Sequence, residues 1–193
     1  SEEEMLKIPN VFEPRYSYGC SKIATEMVAL NWGKDMNCVQ IFRPHNIYGP
    51  DMGWKHVIPN LINKINNIKN SGNTNLEIFG NGSQTRAFCY VSDLIDGLRI
   101  MEKTGAKHDL YHIGTEEELS IRELVKLIAD VIGIEVNIVT SNSPEGETKR
   151  RCPNIHKIRD LGYTPSISIE QGIKRTVEWY KRNPEALDGN NLL

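Results

Sequence analysis

Nowhere does the 193-residue chain carry an apolar run near the ~18 residues that cross a bilayer as a helix. The opening SEEEMLKIPN is acidic and polar, which excludes a signal-peptide pattern there. Basic blocks are missing too: Lys149-Arg150-Arg151 is the longest, too short for a nucleic-acid surface, and the formal net charge is −2. Cysteine is scarce. Cys20, Cys38, Cys89 and Cys152 are scattered with no C-x-x-C pair, and they read as reduced thiols of a cytoplasmic protein, neither staples nor metal ligands. Internal repeats and low-complexity segments are absent. With 39% apolar and 25% charged residues, the composition is that of a globular protein with one substantial domain or parts of two.

What is present begins with Tyr18-Gly19-Cys20-Ser21-Lys22, a Y-x-x-x-K inside a segment whose Ala24, Met27 and Val28 mark it as helical. Residues four apart on a helix share a face. A lysine ammonium beside a phenol stabilises the phenolate, which draws the tyrosine pKa, about 10 unperturbed, toward neutrality. That suits Tyr18 to moving a proton off or onto a sugar hydroxyl. The spacing alone is more often a solvated helix face, so the catalytic reading depends on the motifs downstream of Lys22. Pro14 marks the entry to this helix and Ser17 its cap, while Glu26 stands one turn beyond Lys22 as an exposed partner for it.

Strand and helix periods then alternate. Residues 37–44 predict a strand, and the Pro- and Gly-rich loop after it lies where parallel sheets bind ligands. Residues 57–70 predict a helix with Ile58, Leu61, Ile62, Ile65 and Ile68 buried. Residues 76–93 read as two short strands around Gly80-Asn81-Gly82, with a hairpin as the plain interpretation. Helices come next at 94–105, 120–133 and 168–183, the last two opened by Ser120/Glu123 and Ser168/Gln171 capping pairs. Strands are expected at 110–114 and 135–141, and residues 142–165 form a long polar connection. Helices alternating with apolar strands argue an α/β fold with a parallel sheet. Asp93 is expected to cap the helix after it, Tyr48 and Phe79 to lie in the core in preference to stacking on a base, and Trp54 and His56 to lie in the ligand loop.

The motifs stack in a recognisable order. Tyr18-x-x-x-Lys22, Arg43-Pro44-x-Asn46-x-Tyr48-Gly49-Pro50, Gly80-x-Gly82-x-Gln84-Thr85-Arg86-x-Phe88-x-Tyr90-Val91-x-Asp93 and Tyr111-His112-Ile113-Gly114 resemble the extended short-chain dehydrogenase/reductase superfamily. The closest subgroup is the NAD-dependent nucleotide-sugar epimerases and dehydratases. Arg151, Pro153, Lys157 and Leu161-Gly162-Tyr163-x-Pro165 follow that family's C-terminal pattern, so the likeness runs from about residue 14 to about 182. Singly these motifs are weak; four in order are strong. The resemblance implies the last part of a Rossmann-type parallel sheet plus a small α/β substrate-binding domain. Residues 1–45 would belong to the NAD-binding domain and 46–193 mainly to the substrate domain, with 86–115 returning to the first. It implies that Tyr18 takes a proton from a sugar hydroxyl while NAD takes the hydride, giving a transient keto sugar. Lys22 would hold the nicotinamide ribose and Pro44 would lie near the nicotinamide. Asn46 would contact the substrate or simply stabilise its turn. Arg86 and Arg151 would clamp the diphosphate, whose oxygens a guanidinium fork matches, or be ordinary surface arginines. Ala87 and His112 depart from the family's Asp and Asn.

Missing from these residues are the family's Gly-rich cofactor turn and an identifiable catalytic Ser/Thr before the tyrosine. The expectation is therefore a C-terminal part of a longer enzyme that by itself binds NAD poorly and turns over nothing, and that forms a homodimer at full length. The favoured activity is UDP-glucose 4-epimerase-like. A nucleotide-sugar 4,6-dehydratase or decarboxylase, and a non-catalytic nucleotide-sugar-binding module, remain as alternatives.

Overall fold

The first helix, α1 (Ser17–Trp32), is entered through a 3-10 turn at Pro14–Tyr16. The computed structural model describes residues 1–7, 10, 12–142 and 148–187. Ser17 is the first helical residue, and its hydroxyl donates to Pro14 O at 2.6 Å, so it does not cap the helix. No residue of α1 is fully buried. Met27 and Val28 lie on its exposed side and Trp32 is 85% exposed, while Ile23, Glu26, Ala29 and Leu30 form the half-buried stripe. Glu26 does not pair with Lys22 as expected. It takes a two-point ion pair from Arg43, Nε to Oε1 at 2.8 Å and Nη2 to Oε2 at 2.5 Å, because strand and helix bring that fork over the helix.

The chain continues through β1 (Val39–Pro44), β2 (Ile47–Tyr48), α2 (Val57–Ser71), β3 (Asn75–Phe79), β4 (Thr85–Ala87), β5 (Cys89–Tyr90) and α3 (Val91–Thr104). It then forms β6 (His108–Ile113), β7 (Glu118–Ser120), α4 (Ile121–Ile132), β8 (Asn137–Ser141), β9 (Arg150–Arg151), α5 (His156–Arg159) and α6 (Ile169–Arg182). β1 runs parallel to β6, β2 to β5 and β3 to β8, and β4 lies between antiparallel β7 and parallel β9. The α/β class with parallel pairing is as the sequence predicts. The hairpin at 76–93 is not formed: β3 and β4 part company at Gly80, whose neighbour Gly82 (φ 75°) turns the chain toward a different sheet. The connection at 142–165 contains β9 and α5; its residues 143–147 lie outside those described, as do 188–193.

Two groups of buried side chains hold these elements together. In the larger, Ile58, Leu61, Ile62, Ile65 and Ile68 of α2 meet Leu124, Val125 and Ile128 of α4 and Ile173 and Val177 of α6. Full burial of one such side chain stabilises by roughly 1.5–3 kcal/mol, and the stripes lie where the periodicity put them. Both capping boxes form, at Ser120/Glu123 and Ser168/Gln171. In the smaller group Met101, Tyr111, Ile113, Ile155, Ile158 and Tyr163 close one face of β6. α3 approaches that strand closely at Gly97, where a Cβ would stand 2.6 Å from Ile113 Cγ2. No described helix is long and apolar enough to cross a membrane, and none of the four cysteines forms a disulfide.

Asp93 corrects one expectation. It sits inside the first turn of α3, 2% exposed, and caps nothing there. Its carboxylate accepts from Ser166 N at 3.1 Å, Ser166 Oγ at 2.9 Å and Ile167 N at 3.2 Å, tying the loop before α6 to α3. Replacing it by alanine strands these buried donors, so Asp93→Ala is expected to lower the unfolding free energy by about 3 kcal/mol, read from the urea midpoint. An unshifted midpoint would refute the role given to this carboxylate.

Candidate functional site

The register of two short strands sets the most charged feature of the molecule. β4 and β9 pair so that Thr85 stands beside Arg150 and Arg86 beside Arg151. Alternation along a strand sends the two pairs to opposite faces. On one face the Arg150 guanidinium grips Glu118, at 2.5–3.0 Å, and Thr85 Oγ1 donates to the same carboxylate at 2.7 Å. The arginine's hydrogen bonds, with that of Thr85, hold the Glu118 carboxyl below the ordinary range. On the other face stand Arg86 and Arg151. Arg86 is braced by Thr85 O and Thr148 O, each at 2.7 Å, and Arg151 reaches Thr148 Oγ1 at 3.4 Å. Like charges in paired register repel, and an anion between them removes that cost.

Asn46 joins this pair. It is one of two described non-glycine residues with positive φ, at 44°, and its side-chain amide donates to Ala87 O at 3.0 Å. Its own carbonyl accepts from Cys89 N at 3.2 Å. Asparagine tolerates the left-handed conformation, so the turn reading of Asn46 holds. The same residue also faces open space. A cavity of about 420 Å³ is lined by Asn46, Arg86 and Arg151 together with Lys64, Glu77 and Phe79. A second, of about 450 Å³, is lined by Pro44, His45, Asn46, Arg150, Arg151 and Cys152. Asn46 and Arg151 border both: the first recess brings together Asn46, Arg86 and Arg151, and the second Pro44, Asn46 and Arg151.

Lys64 and Glu77 were not singled out for a site by sequence reading, and Phe79, for which core was preferred to stacking on a base, is 60% exposed. The period of β3 carried the signal: Leu76 and Ile78 are buried, which leaves Glu77 and Phe79 on the opposite face. Tyr48 is core as expected. Trp54 and His56 line neither recess; Lys55 Nζ lies 5.4 Å above the Trp54 ring.

Tyr18 and Lys22 occupy one exposed face of α1, and neither lines those two cavities. Tyr18 is 72% exposed, and Lys22 Nζ stands 5.3 Å from its ring centroid, over the ring and not on the hydroxyl. Among the described residues the Lys22 ammonium makes no hydrogen bond, so its three donors are open to a polar ligand.

At the carboxyl ends of β1 and β6 two histidines pack together. The rings of His45 and His112 lie 4.6 Å apart, and His45 Nε2 is buried with no hydrogen-bond partner among the described residues. Burial, then the neighbouring His112 and Arg43, pull the His45 pKa down to about 4. His112, which stands where the family has asparagine, is lowered by burial as well; its backbone N–H donates to Glu2 Oε1 at 2.8 Å.

A family model described as GDP-mannose 4,6 dehydratase matches residues 2–176. The chain belongs to that family. Its membership bears out the resemblance to the NAD-dependent nucleotide-sugar epimerases and dehydratases. Human dTDP-D-glucose 4,6-dehydratase is 32% identical over 179 residues, covering 89% of this chain and 50% of its own. The structure of RMD from Pseudomonas aeruginosa complexed with NADPH superposes with a TM-score of 0.81 at 28% identity, over 93% of this chain and 60% of that one. UDP-glucuronic acid 4-epimerase from Bacillus cereus, in complex with UDP-glucuronic acid and NAD, superposes with a TM-score of 0.79 at 27% identity. That match covers 95% of this chain and 56% of the epimerase. The chain spans about half the length of the curated relatives it matches. Epimerases and dehydratases thus share this fold, and several of its structural neighbours are complexed with NAD or NADPH.

The His45 shift gives a signed consequence. Between its ordinary value of 6.5 and its folded value of about 4, the unfolded chain binds a proton that the folded chain refuses. Stability from this group is therefore present above 6.5 and is lost as pH falls toward 4. The urea midpoint is expected to fall across that window and to fall less steeply in His45→Leu. Equal slopes in both proteins would count against it.

Proposed function

We propose that this chain carries the substrate side and the acid–base pair of an NAD-dependent nucleotide-sugar epimerase. The single observation behind the reading is the convergence of Arg86, Arg151 and Asn46 on one recess. Paired guanidiniums offer forks to the two phosphates of a nucleoside diphosphate, which offsets their mutual repulsion. Asn46, already fixed by Ala87, presents a rigid amide beside them. The division at residue 45 belongs to the same proposal. The β1–β6 pair and the smaller buried group support grouping residues 86–115 with 1–45.

In this mechanism Tyr18 Oη takes the proton of a sugar hydroxyl and returns it after the ring carbon has been inverted. The exposed face of α1 leaves the phenol accessible for that exchange. Lys22 keeps a positive charge next to the ring. When bound, the nicotinamide cofactor supplies a hydride acceptor that hands the hydride back. The residues fit such a group: Lys22 has donors to spare for ribose hydroxyls, and Pro44 is exposed at the end of β1. The Bacillus cereus neighbour is a 4-epimerase and the human relative a 4,6-dehydratase, and both names imply a nucleotide sugar. We put the epimerase forward; the proton transfer at Tyr18 is common to both.

The reading is tested by titrating nucleoside diphosphates into the purified chain in a calorimeter. Arg86→Ala and Arg151→Ala should each raise Kd about tenfold, the loss of one charge-assisted contact. Unchanged affinity in both variants would remove the diphosphate from this recess. In the active enzyme Tyr18→Phe should lower kcat by about 10²–10⁴, the usual worth of a general acid–base, with Kd for the diphosphate unaltered.

A further inference from the structure

We propose that His112 is a positioning residue for the acid–base pair: as a neutral acceptor it completes the hold of Arg43 on α1, and a proton on its ring releases that hold. The inference rests on the reading of Tyr18 and Lys22 as that pair and deepens it. His112 stands where the family has asparagine, and it lies directly beside Arg43 in the β1–β6 register. Arg43 in turn ties β1 to Glu26, on the helix that carries Tyr18 and Lys22.

Hydrogen-bond chemistry fixes the state of the ring. A guanidinium only donates, so the 3.3 Å contact between Arg43 Nη1 and His112 Nε2 requires a lone pair on Nε2. The proton of the neutral ring therefore sits on Nδ1, which is buried with no hydrogen-bond partner among the described residues. A second proton, on Nε2, turns the acceptor into a donor facing a donor and sets two cations side by side. Burial above all, then Arg43 and the Ser1 ammonium, keeps His112 below the ordinary histidine range, against Glu2 and the Asn154 backbone, which favour the charged ring. His45, whose ring centroid is 4.6 Å away, is a second base that burial keeps neutral and offers no counter-charge. Glu26 already gives both carboxylate oxygens to Arg43.

The consequence passes along the guanidinium. Arg43 gives Nε and Nη2 to Glu26 and Nη1 to His112, so the strand neighbour steadies the fork that grips the helix. Because no residue of α1 is fully buried, the attachment of the helix leans on this ion pair. Asparagine at this place also offers Arg43 an acceptor, through its amide oxygen, but takes no proton near neutrality. Histidine adds proton sensitivity to the same hold. Neutral pH seats Tyr18 and Lys22, and acid loosens the helix that presents them.

The test follows amide hydrogen exchange in the purified chain from about pH 8 to about pH 5, the interval in which histidine changes charge, with rates corrected for their intrinsic pH dependence. Wild-type α1 is expected to lose about tenfold in protection across that interval, the loss of one charge-assisted hydrogen bond. In His112→Asn, which keeps an acceptor that does not titrate, α1 should stay within about twofold. Glu26 is present in both proteins, so its own response to acid cancels in the comparison. In both, α4, packed against α2 and α6, should keep its protection. In the active enzyme kcat should fall more steeply on the acid side in wild type than in His112→Asn, with equal Kd for a nucleoside diphosphate. Equal loss of α1 protection in the two proteins, a matching loss in α4, or parallel acid limbs of kcat would overturn the proposal. A kcat indifferent to Tyr18→Phe would instead overturn the acid–base reading, with the link from His112 to α1 still read from exchange.

Discussion

A single left-handed residue makes the passage on which this architecture turns. The chain leaves the β1–β6 pair at His45, whose N–H still donates to Ile113 O, and enters the β2–β5 pair at Ile47. Asn46 between them reverses direction at φ 44° and spends both its carbonyl and its amide on the segment 87–89. Those two bonds anchor the end of β4. The position of Arg86, one residue earlier, follows from them, and the β4–β9 register then carries Arg151 alongside. Local backbone chemistry at one asparagine thus fixes the relative placement of both cationic side chains.

The strands that frame the recess are short, and β3 in its wall depends on helices behind it. Leu76 and Ile78 of β3 are sealed by α2 and α4, so that β3 can leave a polar and aromatic face open on the other side. The cost of ordering so few ladder bonds is met by helix packing, where most of the buried apolar surface lies. On the far side, Tyr163 donates to Gly114 O at 3.0 Å and Lys157 pairs with Asp109 at 2.5 Å, which joins α5 and the loop after it to β6. Polar ties of this kind align elements; the apolar groups hold them.

Much of this was legible in the residues. The stripes of α2, α4 and α6, the two capping boxes and the strand at Val39–Pro44 follow from period and cap chemistry, both of which are local. The motifs around Asn46, Arg86 and Arg151 were legible as a family pattern, and their convergence is tertiary. What sequence reading missed was set by partners distant in the chain. Glu26 looked outward to Lys22, four residues away, but Arg43 from the next strand offers two aligned donors where lysine offers a point charge. Asp93 had the position of a cap, but Ser166 and Ile167 claim its carboxylate from 73 and 74 residues on. Gly80-Asn81-Gly82 had the composition of a hairpin turn, and the strands it joins pair elsewhere, β3 with β8 and β4 with β7 and β9.

The Arg43–Glu26 pair has one more implication, for orientation. An α-helix advances about 100° per residue, so its side chains form one rigid angular pattern. Because α1 sinks no residue fully into the core, few packing contacts determine how far it is turned about its own axis. Glu26, gripped at two points by a strand residue, supplies that angle. Lys22 stands one turn away on nearly the same azimuth, and Tyr18 another turn on. Inserting or deleting one residue between Tyr18 and Glu26 would leave the helix equally helical and swing the phenol by about a quarter of a circle. The direction in which the acid–base pair points is therefore a phase, set eight residues away from the hydroxyl that uses it.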